Sequence, residues 1–265
     1  MYTSFQLAKK YIRYYFTACN GKGHGMHSPF VFDFILSVLN NRQGYKPPTE
    51  IEAVRKRLLK DFRELQIEDL GAGSRKGTTK KRSVKQIAAT AVKPPKWSLF
   101  LFRLVAHYRP QTIIELGTSL GISTSYMASA HSGATIYTIE GSEAIQQVAA
   151  QNFNTLSLAN IQSLTGNFDA VLPSVLASIQ NVDLAYIDGN HRYAPTIAYF
   201  QQLLLKKTDN SIFIFDDIHW SAEMERAWED IKKHPSVTVS IDLFFMGLIF
   251  FRPEVKVSQH YSIRF

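Results

Sequence analysis

The chain predicts an α/β protein built on an open, mostly parallel sheet and preceded by a helical amino-terminal extension, and three observations carry this. From Gln111 onward strand-like and helix-like runs alternate, as they do in a parallel sheet covered by helices. The apolar runs 112–116 and 135–140 each place an acid at or next to their end, and the first opens into a glycine-spaced turn. The last two apolar runs, 237–243 and 248–252, are separated only by 244–247, too short for a parallel crossover, so they should pair antiparallel.

Between these runs the expected order is strand 112–116, helix 123–130, strand 135–140, helix 143–156, strand 161–165 and helix 170–179. Strand 182–188, a helix near 194–205, strand 212–217 and a helix near 223–232 follow before the final pair. Upstream, Phe5, Ala8, Ile12, Tyr15 and Phe16 fall at helical spacing, as do Val31, Phe34, Ile35, Val38 and Leu39 after Ser28-Pro29. Between these helices lies a glycine-rich loop holding His24 and His27. The two are spaced like metal ligands but have no acid nearby, so a polar loop is the reading preferred. Leu58, Leu59, Phe62 and Leu65 suggest a third helix running towards Ile67. Pro94-Pro95 marks a boundary, and Trp97, Leu99, Phe100, Phe102, Leu104 and Val105 then make an apolar helix. The division expected is a mainly helical region 1–95, acting as cap or substrate region, and a main domain 96–265.

With 265 residues and 45% hydrophobic content the chain can bury a full core. Cys19 stands alone, which excludes an intramolecular disulfide and a cysteine-based metal site. No run of 18 apolar residues marks a transmembrane segment and no signal-peptide core is present, so a cytoplasmic location is expected. The net charge of +8 is uneven. Residues 1–95 hold 18 Lys and Arg against 7 Asp and Glu, net +11, while 96–265 hold 12 against 15. Much of the excess sits in 75–85, which reads as a solvated mobile loop. An acidic or phosphorylated substrate is the alternative, and nucleic acid or an anionic surface is less favoured because the run lacks aromatics for base stacking. The apolar segment 244–251 is a candidate homodimer interface.

The turn Glu115-Leu116-Gly117-Thr118-Ser119-Leu120-Gly121-Ile122-Ser123 reads as a nucleotide-type cofactor loop. Gly117 permits the tight turn and Gly121 the close packing of the following helix. Glu140 closes the next strand about twenty residues on, where ribose hydroxyls are held. Gly117-x-Ser119-x-Gly121 departs from G-x-G-x-x-G, which counts against NAD. A second glycine turn at 67–74 imitates such a loop, but a basic run follows it rather than an apolar helix, so a plain turn or substrate-side loop is preferred. Further along, two apolar strands end in acids and each is followed by histidine: Asp188 with His191, and Asp216-Asp217 with His219. Strand ends of an open parallel sheet converge on one crevice, where Asp188, Asp216 and Asp217 would repel unless a cation joined them. Oxygen-only ligands favour Mg²⁺ over zinc. The competing readings are Asp216-Asp217 as a helix N-cap pair, His191 as a loop histidine, His219 as substrate contact or packing, and Trp220 as pocket wall or, preferred, core aromatic.

Across roughly 97–252 the sequence resembles the class I S-adenosylmethionine-dependent methyltransferases, with 115–123 similar to the first motif of the catechol-type O-methyltransferases. The resemblance implies a Rossmann-like methyltransferase sheet with an antiparallel last strand. It assigns Glu115, Gly117, Ser119, Gly121, Ser123, Glu140, Asn167, Phe168 and Asp188 to S-adenosylmethionine, with 166–169 as the loop beside the adenine. In the metal-dependent catechol-type enzymes, and in the macrocin and mycinamicin sugar O-methyltransferases, similar acids hold the metal, which implies Asp188, Asp216 and Asp217 as ligands. His191 stands where the catechol-type enzymes carry a lysine base and the sugar enzymes a histidine, which implies a general base. The function expected is Mg²⁺-dependent O-methylation of a small hydroxylated molecule of sugar, phenol or natural-product type. The alternatives are a metal-independent methyltransferase on nitrogen, protein or RNA, and a non-enzymatic interaction protein whose first helices dock on a partner or membrane surface.

Overall fold

A computed structural model describes residues 1–23, 27–41, 48–68 and 79–265. The chain forms two compact units, Met1–Asn40 with Ile179–Phe265, and Asn41–Ser178. Helix α1 (Ser4–Thr17) opens the first unit with a capping box, in which the Thr3 side chain and Gln6 satisfy each other's backbone amides. Its buried edge is Tyr14, with Leu7 and Ala18 beside it, packed on Phe244. The stripe Phe5, Ile12, Tyr15 and Phe16 faces solvent. Helix α2 (Pro29–Phe34), capped by Ser28 with Pro29 in its first turn, runs into one π-helical turn (Ile35–Leu39). Val31, Phe34, Ile35, Val38 and Leu39 are all buried, as their spacing predicts. His27 is exposed; His24 lies outside the described residues.

The second unit begins with α3 (Thr49–Leu58), which carries Glu50 and Glu52 in its first turn and Arg55, Lys56 and Arg57 in its last, matching the helix dipole. The third helix ends at Leu58 and does not reach Ile67; 64–68 is strand β1 (Glu64–Glu68), paired antiparallel with β2 (Thr79–Ser83). This corrects two expectations. Leu65 and Ile67 point one way from an extended ribbon onto Ile51, Val54, Leu58, Val84 and Ile87, so a period of two replaces the helical one. Of the basic run 75–85, residues 79–83 are that strand and α4 (Val84–Thr90) follows, capped by Ser83 and Gln86; residues 75–78 lie outside the described residues, as do 69–74 of the second glycine turn. Helix α5 (Pro95–Tyr108) leads into β3 (Thr112–Leu116), and α6 (Ile122–Ala130), β4 (Thr135–Glu140), α7 (Glu143–Thr155), β5 (Ile161–Thr165) and α8 (Phe168–Ser178) alternate behind it. Strands β3, β4 and β5 lie side by side, all parallel.

The first unit resumes with β6 (Val182–Ile187), α9 (Tyr193–Leu204), β7 (Lys207–Asp216) and α10 (Ala222–Lys232), β6 and β7 being parallel. β8 (Val239–Asp242) and β9 (Met246–Phe250) form the expected antiparallel pair, and β9 also runs antiparallel to β7. A short strand β10 (Gln259–Ser262), not foreseen, pairs parallel with β8. Met246, Leu248, Ile249 and Phe250 are fully buried, so of 244–251 only Phe245 reaches solvent. That segment is core, which corrects its reading as a homodimer face. Among the described residues no helix is long and apolar enough to cross a membrane.

Candidate active site

The residues singled out by sequence fall in two places, each within one unit. In the second unit the chain leaves β3 and turns back at once: the Gly117 and Thr118 amides donate to the Ile139 carbonyl at the end of β4. Gly117 (φ +107) and Gly121 (φ +78) occupy left-handed backbone that side chains resist, and Ser119 (φ +47) joins them. At Gly121 a Cβ would lie 2.5 Å from the Phe153 ring, so glycine lets α6 settle against α7. Glu140 binds the loop directly, one carboxylate oxygen accepting the Ser119 amide at 2.8 Å and the other the Ser142 amide at 3.1 Å. The Ser119 hydroxyl has no hydrogen-bond partner. Ser123 is half-buried in the first turn of α6. Gly166 donates to the Glu140 carbonyl, which brings the 166–169 turn beside the end of β4. There the Asn167 side chain accepts the Asp169 amide and Phe168 is half-buried.

Glu115 sits differently. It is wholly buried, and its carboxylate accepts hydrogen bonds from the hydroxyls of Thr124 and Thr138. It ties β3 to its neighbour β4 and to α6 from beneath the loop. Thr138 is its direct partner across the parallel register.

In the first unit, Asp188 follows β6 and Asp216 ends β7. Asp188, His191 and Asp216 each offer one ligand atom within 4.8 Å of the others. Asp217 is not part of that group: it takes φ +54, which Asp tolerates, and its amide donates to the Phe245 carbonyl. The Tyr186 hydroxyl donates to Asp188 at 2.9 Å, and His191 Nε2 lies 3.7 Å from the other Asp188 oxygen. Tyr186 was given no role from sequence; it lies near the end of β6, two residues before Asp188. The turn is fixed by Asn190 (φ +57), whose amide donates to Tyr199, and by Tyr193, which reaches Glu223 and Asp230 on α10.

His219 is a structural node. Its ring nitrogens meet Glu225 at 3.0 Å and Asp242 at 2.8 Å while its face stacks on Phe244. Burial opposes its charge, but hydrogen bonds to Asp242 and Glu225 outweigh it and hold the pKa above the ordinary histidine value. Ser221, not Asp216-Asp217, caps α10, and Trp220 is 37% exposed rather than core.

Residues 114–218 match the family described as Methyltransferase domain. Over this stretch the chain is similar to methyltransferase domains, and solved methyltransferases share its fold. The matched stretch runs from β3 to just past β7 and so takes in the glycine loop, Glu140, Asp188, His191 and Asp216. Solved structures share the fold at low identity. The S-adenosylhomocysteine-bound methyltransferase PaMTH1 of Podospora anserina aligns with TM-score 0.62 and 12% identity, over 86% of this chain and 98% of that one. An O-methyltransferase from Bacillus cereus in complex with S-adenosylhomocysteine gives 0.57 and 19%, over 81% and 96%. The O-methyltransferase TomG from Streptomyces achromogenes, involved in tomaymycin synthesis and bound to S-adenosylmethionine, gives 0.52 and 20%, over 61% and 81%. Among curated sequences nothing matches the chain.

Proposed function

We propose that this methyltransferase domain carries out metal-assisted, S-adenosylmethionine-dependent O-methylation of a small hydroxylated molecule. The convergence of Asp188, His191 and Asp216 on one point is the observation that carries the reading. Two carboxylates and an imidazole so close form a donor set that a divalent cation would join. The cofactor loop fits its ligand: backbone at Gly117 and Gly121 can come near, the Ser119 hydroxyl lacks a partner, and Glu140 stands at the strand end. In this proposal Gly117, Ser119, Gly121, Ser123, Glu140, Asn167 and Phe168 hold the cofactor, which supplies a sulfonium-bound methyl group. Glu115 supports the loop from below.

Asp188 and Asp216 would hold Mg²⁺, which when bound would supply Lewis acidity towards the acceptor hydroxyl, while Asp217 stands outside that group. Asp188 is kept in orientation by Tyr186, and Asp216 by its burial at the end of β7. His191 takes the hydroxyl proton at Nε2, a step that contributes roughly 10²–10⁴-fold in general-base catalysis. Methyl transfer then needs only in-line positioning of oxygen, methyl and sulfur. Residues 1–95 are proposed as the acceptor-selecting region. The proximity of His191 to both acids favours a second reading, in which it is a nitrogen ligand to the metal and Mn²⁺ or Co²⁺ binds better than Mg²⁺.

Calorimetric titration with Mg²⁺ and Mn²⁺ of wild type, Asp216→Asn and His191→Gln, alongside turnover of hydroxylated acceptors with and without EDTA, tests both. A general base predicts that His191→Gln keeps metal affinity and loses turnover; a ligand predicts that it loses both. Turnover indifferent to EDTA would overturn the metal-assisted reaction.

A further inference from the structure

Helix α1 is fastened along one edge only. Tyr14 and Leu7 pack on Phe244, Tyr11 meets Phe244 edge-on, Lys10 pairs with Glu225, the Tyr2 hydroxyl donates to Glu225, and the Tyr14 hydroxyl donates to the Ile263 carbonyl. Along the opposite edge Phe5 and Phe16 are each 80% exposed, Ile12 56% and Tyr15 48%. A surface helix ordinarily turns polar residues outward, and this one turns its rings outward. The charged side chains on that side, Lys9 and Arg13, are cationic and exposed. Residues 1–32 contain four Lys and Arg and no Asp or Glu.

We propose that this face of α1 is a docking surface for an anionic lipid bilayer, with the helix lying along the interface rather than crossing it. Phe5, Ile12 and Phe16 would enter the boundary between headgroups and acyl chains, Tyr15 would sit at headgroup level, and Lys9 and Arg13 would reach the lipid phosphates. Charge selects this occupant over a second copy of the chain. A two-fold contact sets the same patch against itself, and a face whose charges are Lys9 and Arg13 then offers them no acid. Anionic headgroups supply the missing countercharge. Lys10 is already paired with Glu225, so it anchors the helix to its unit.

Co-sedimentation of the full chain with phosphatidylcholine vesicles, and with vesicles also containing phosphatidylglycerol, tests this. The wild type should sediment with the anionic vesicles and stay in solution with the neutral ones. Phe5→Ser with Phe16→Ser should lower binding about tenfold or more, since each ring loses its burial. Lys9→Glu with Arg13→Glu should lower binding to the anionic vesicles by a similar factor. All four side chains are exposed, so circular dichroism and thermal midpoint should be unchanged in both variants. Wild type that remains in solution with both vesicle types overturns the proposal, as does binding unaffected by the paired Phe variant. A dimer in sedimentation equilibrium that this variant dissociates, with no vesicle binding, would assign the face to a second copy instead.

Discussion

Replacing Gly121 by Ala probes the cofactor loop where backbone and packing constraints coincide. Gly121 has φ +78, and a Cβ built there lies 2.5 and 2.7 Å from two atoms of the Phe153 ring and 3.2 Å from Ala149 Cβ. The left-handed backbone costs a side-chain-bearing residue about 1–2 kcal/mol. Crowding a buried contact costs about 1–3 kcal/mol more. Phe153 is 4% exposed on α7 and cannot swing into water, so the two costs should add to about 2–5 kcal/mol in urea unfolding. They are separable, because Phe153→Leu removes the ring atoms that a new Cβ would strike. In a double-mutant cycle the pair should be less destabilised than the sum of the singles by about 1–3 kcal/mol, leaving the backbone cost in place. Loss of S-adenosylhomocysteine affinity should follow the clash and return in part with the double variant. Strict additivity would refute the packing half of this reasoning, and a Gly121→Ala midpoint equal to wild type would refute both halves.

Thr138→Val removes one of the two hydroxyls bonded to buried Glu115 and should cost about 1–3 kcal/mol in urea unfolding, with the fold retained by circular dichroism. Gly247→Ala places a Cβ 2.7 Å from the buried Trp228 ring and should cost about 1–3 kcal/mol, visible also as a change in tryptophan emission. Glu225 is half-buried; burial raises its pKa, but hydrogen bonds from Lys10, Tyr2 and His219 outweigh this and hold it below the ordinary value. A depressed carboxylate stabilises the fold above its unfolded pKa of about 4.3 and loses that contribution as pH falls through the folded pKa. The stability gap between wild type and Glu225→Gln should therefore be full at neutral pH and shrink below about pH 4.3; a gap independent of pH would contradict it.

The parallel core was legible because its signals are local: apolar runs closing on acids, helices of one period between them, and a four-residue link that admits only antiparallel pairing. The Gly117 and Gly121 turn, and Glu140 at the end of the next strand, were readable for the same reason. Partners brought by register were not. Thr138 meets Glu115 only because β3 and β4 align as they do, and His219 meets Asp242 only through the return of β8. The ribbon at 64–68 and 79–83 was hidden because Leu58, Leu59, Phe62 and Leu65 mimic a helical stripe while Leu65 and Ile67 in fact share a strand face. On α1 spacing alone could not say which edge is buried. Tertiary contacts chose Leu7, Tyr11 and Tyr14, and left the more conspicuous Phe5 and Phe16 outside. The pairing of His191 with Asp188 and Asp216 in one cluster likewise needed coordinates, since their sequence spacing gives proximity for only one of the two acids.

The most direct test is calorimetric titration of S-adenosylhomocysteine into wild type and Glu140→Ala, with and without Mg²⁺. Wild type should bind, Glu140→Ala should bind at least about tenfold more weakly because a charged hydrogen-bond acceptor is lost, and a Mg²⁺-dependent heat should vanish in Asp188→Ala. Wild type that gives no heat of binding under any of these conditions would contradict the methyl-transfer account.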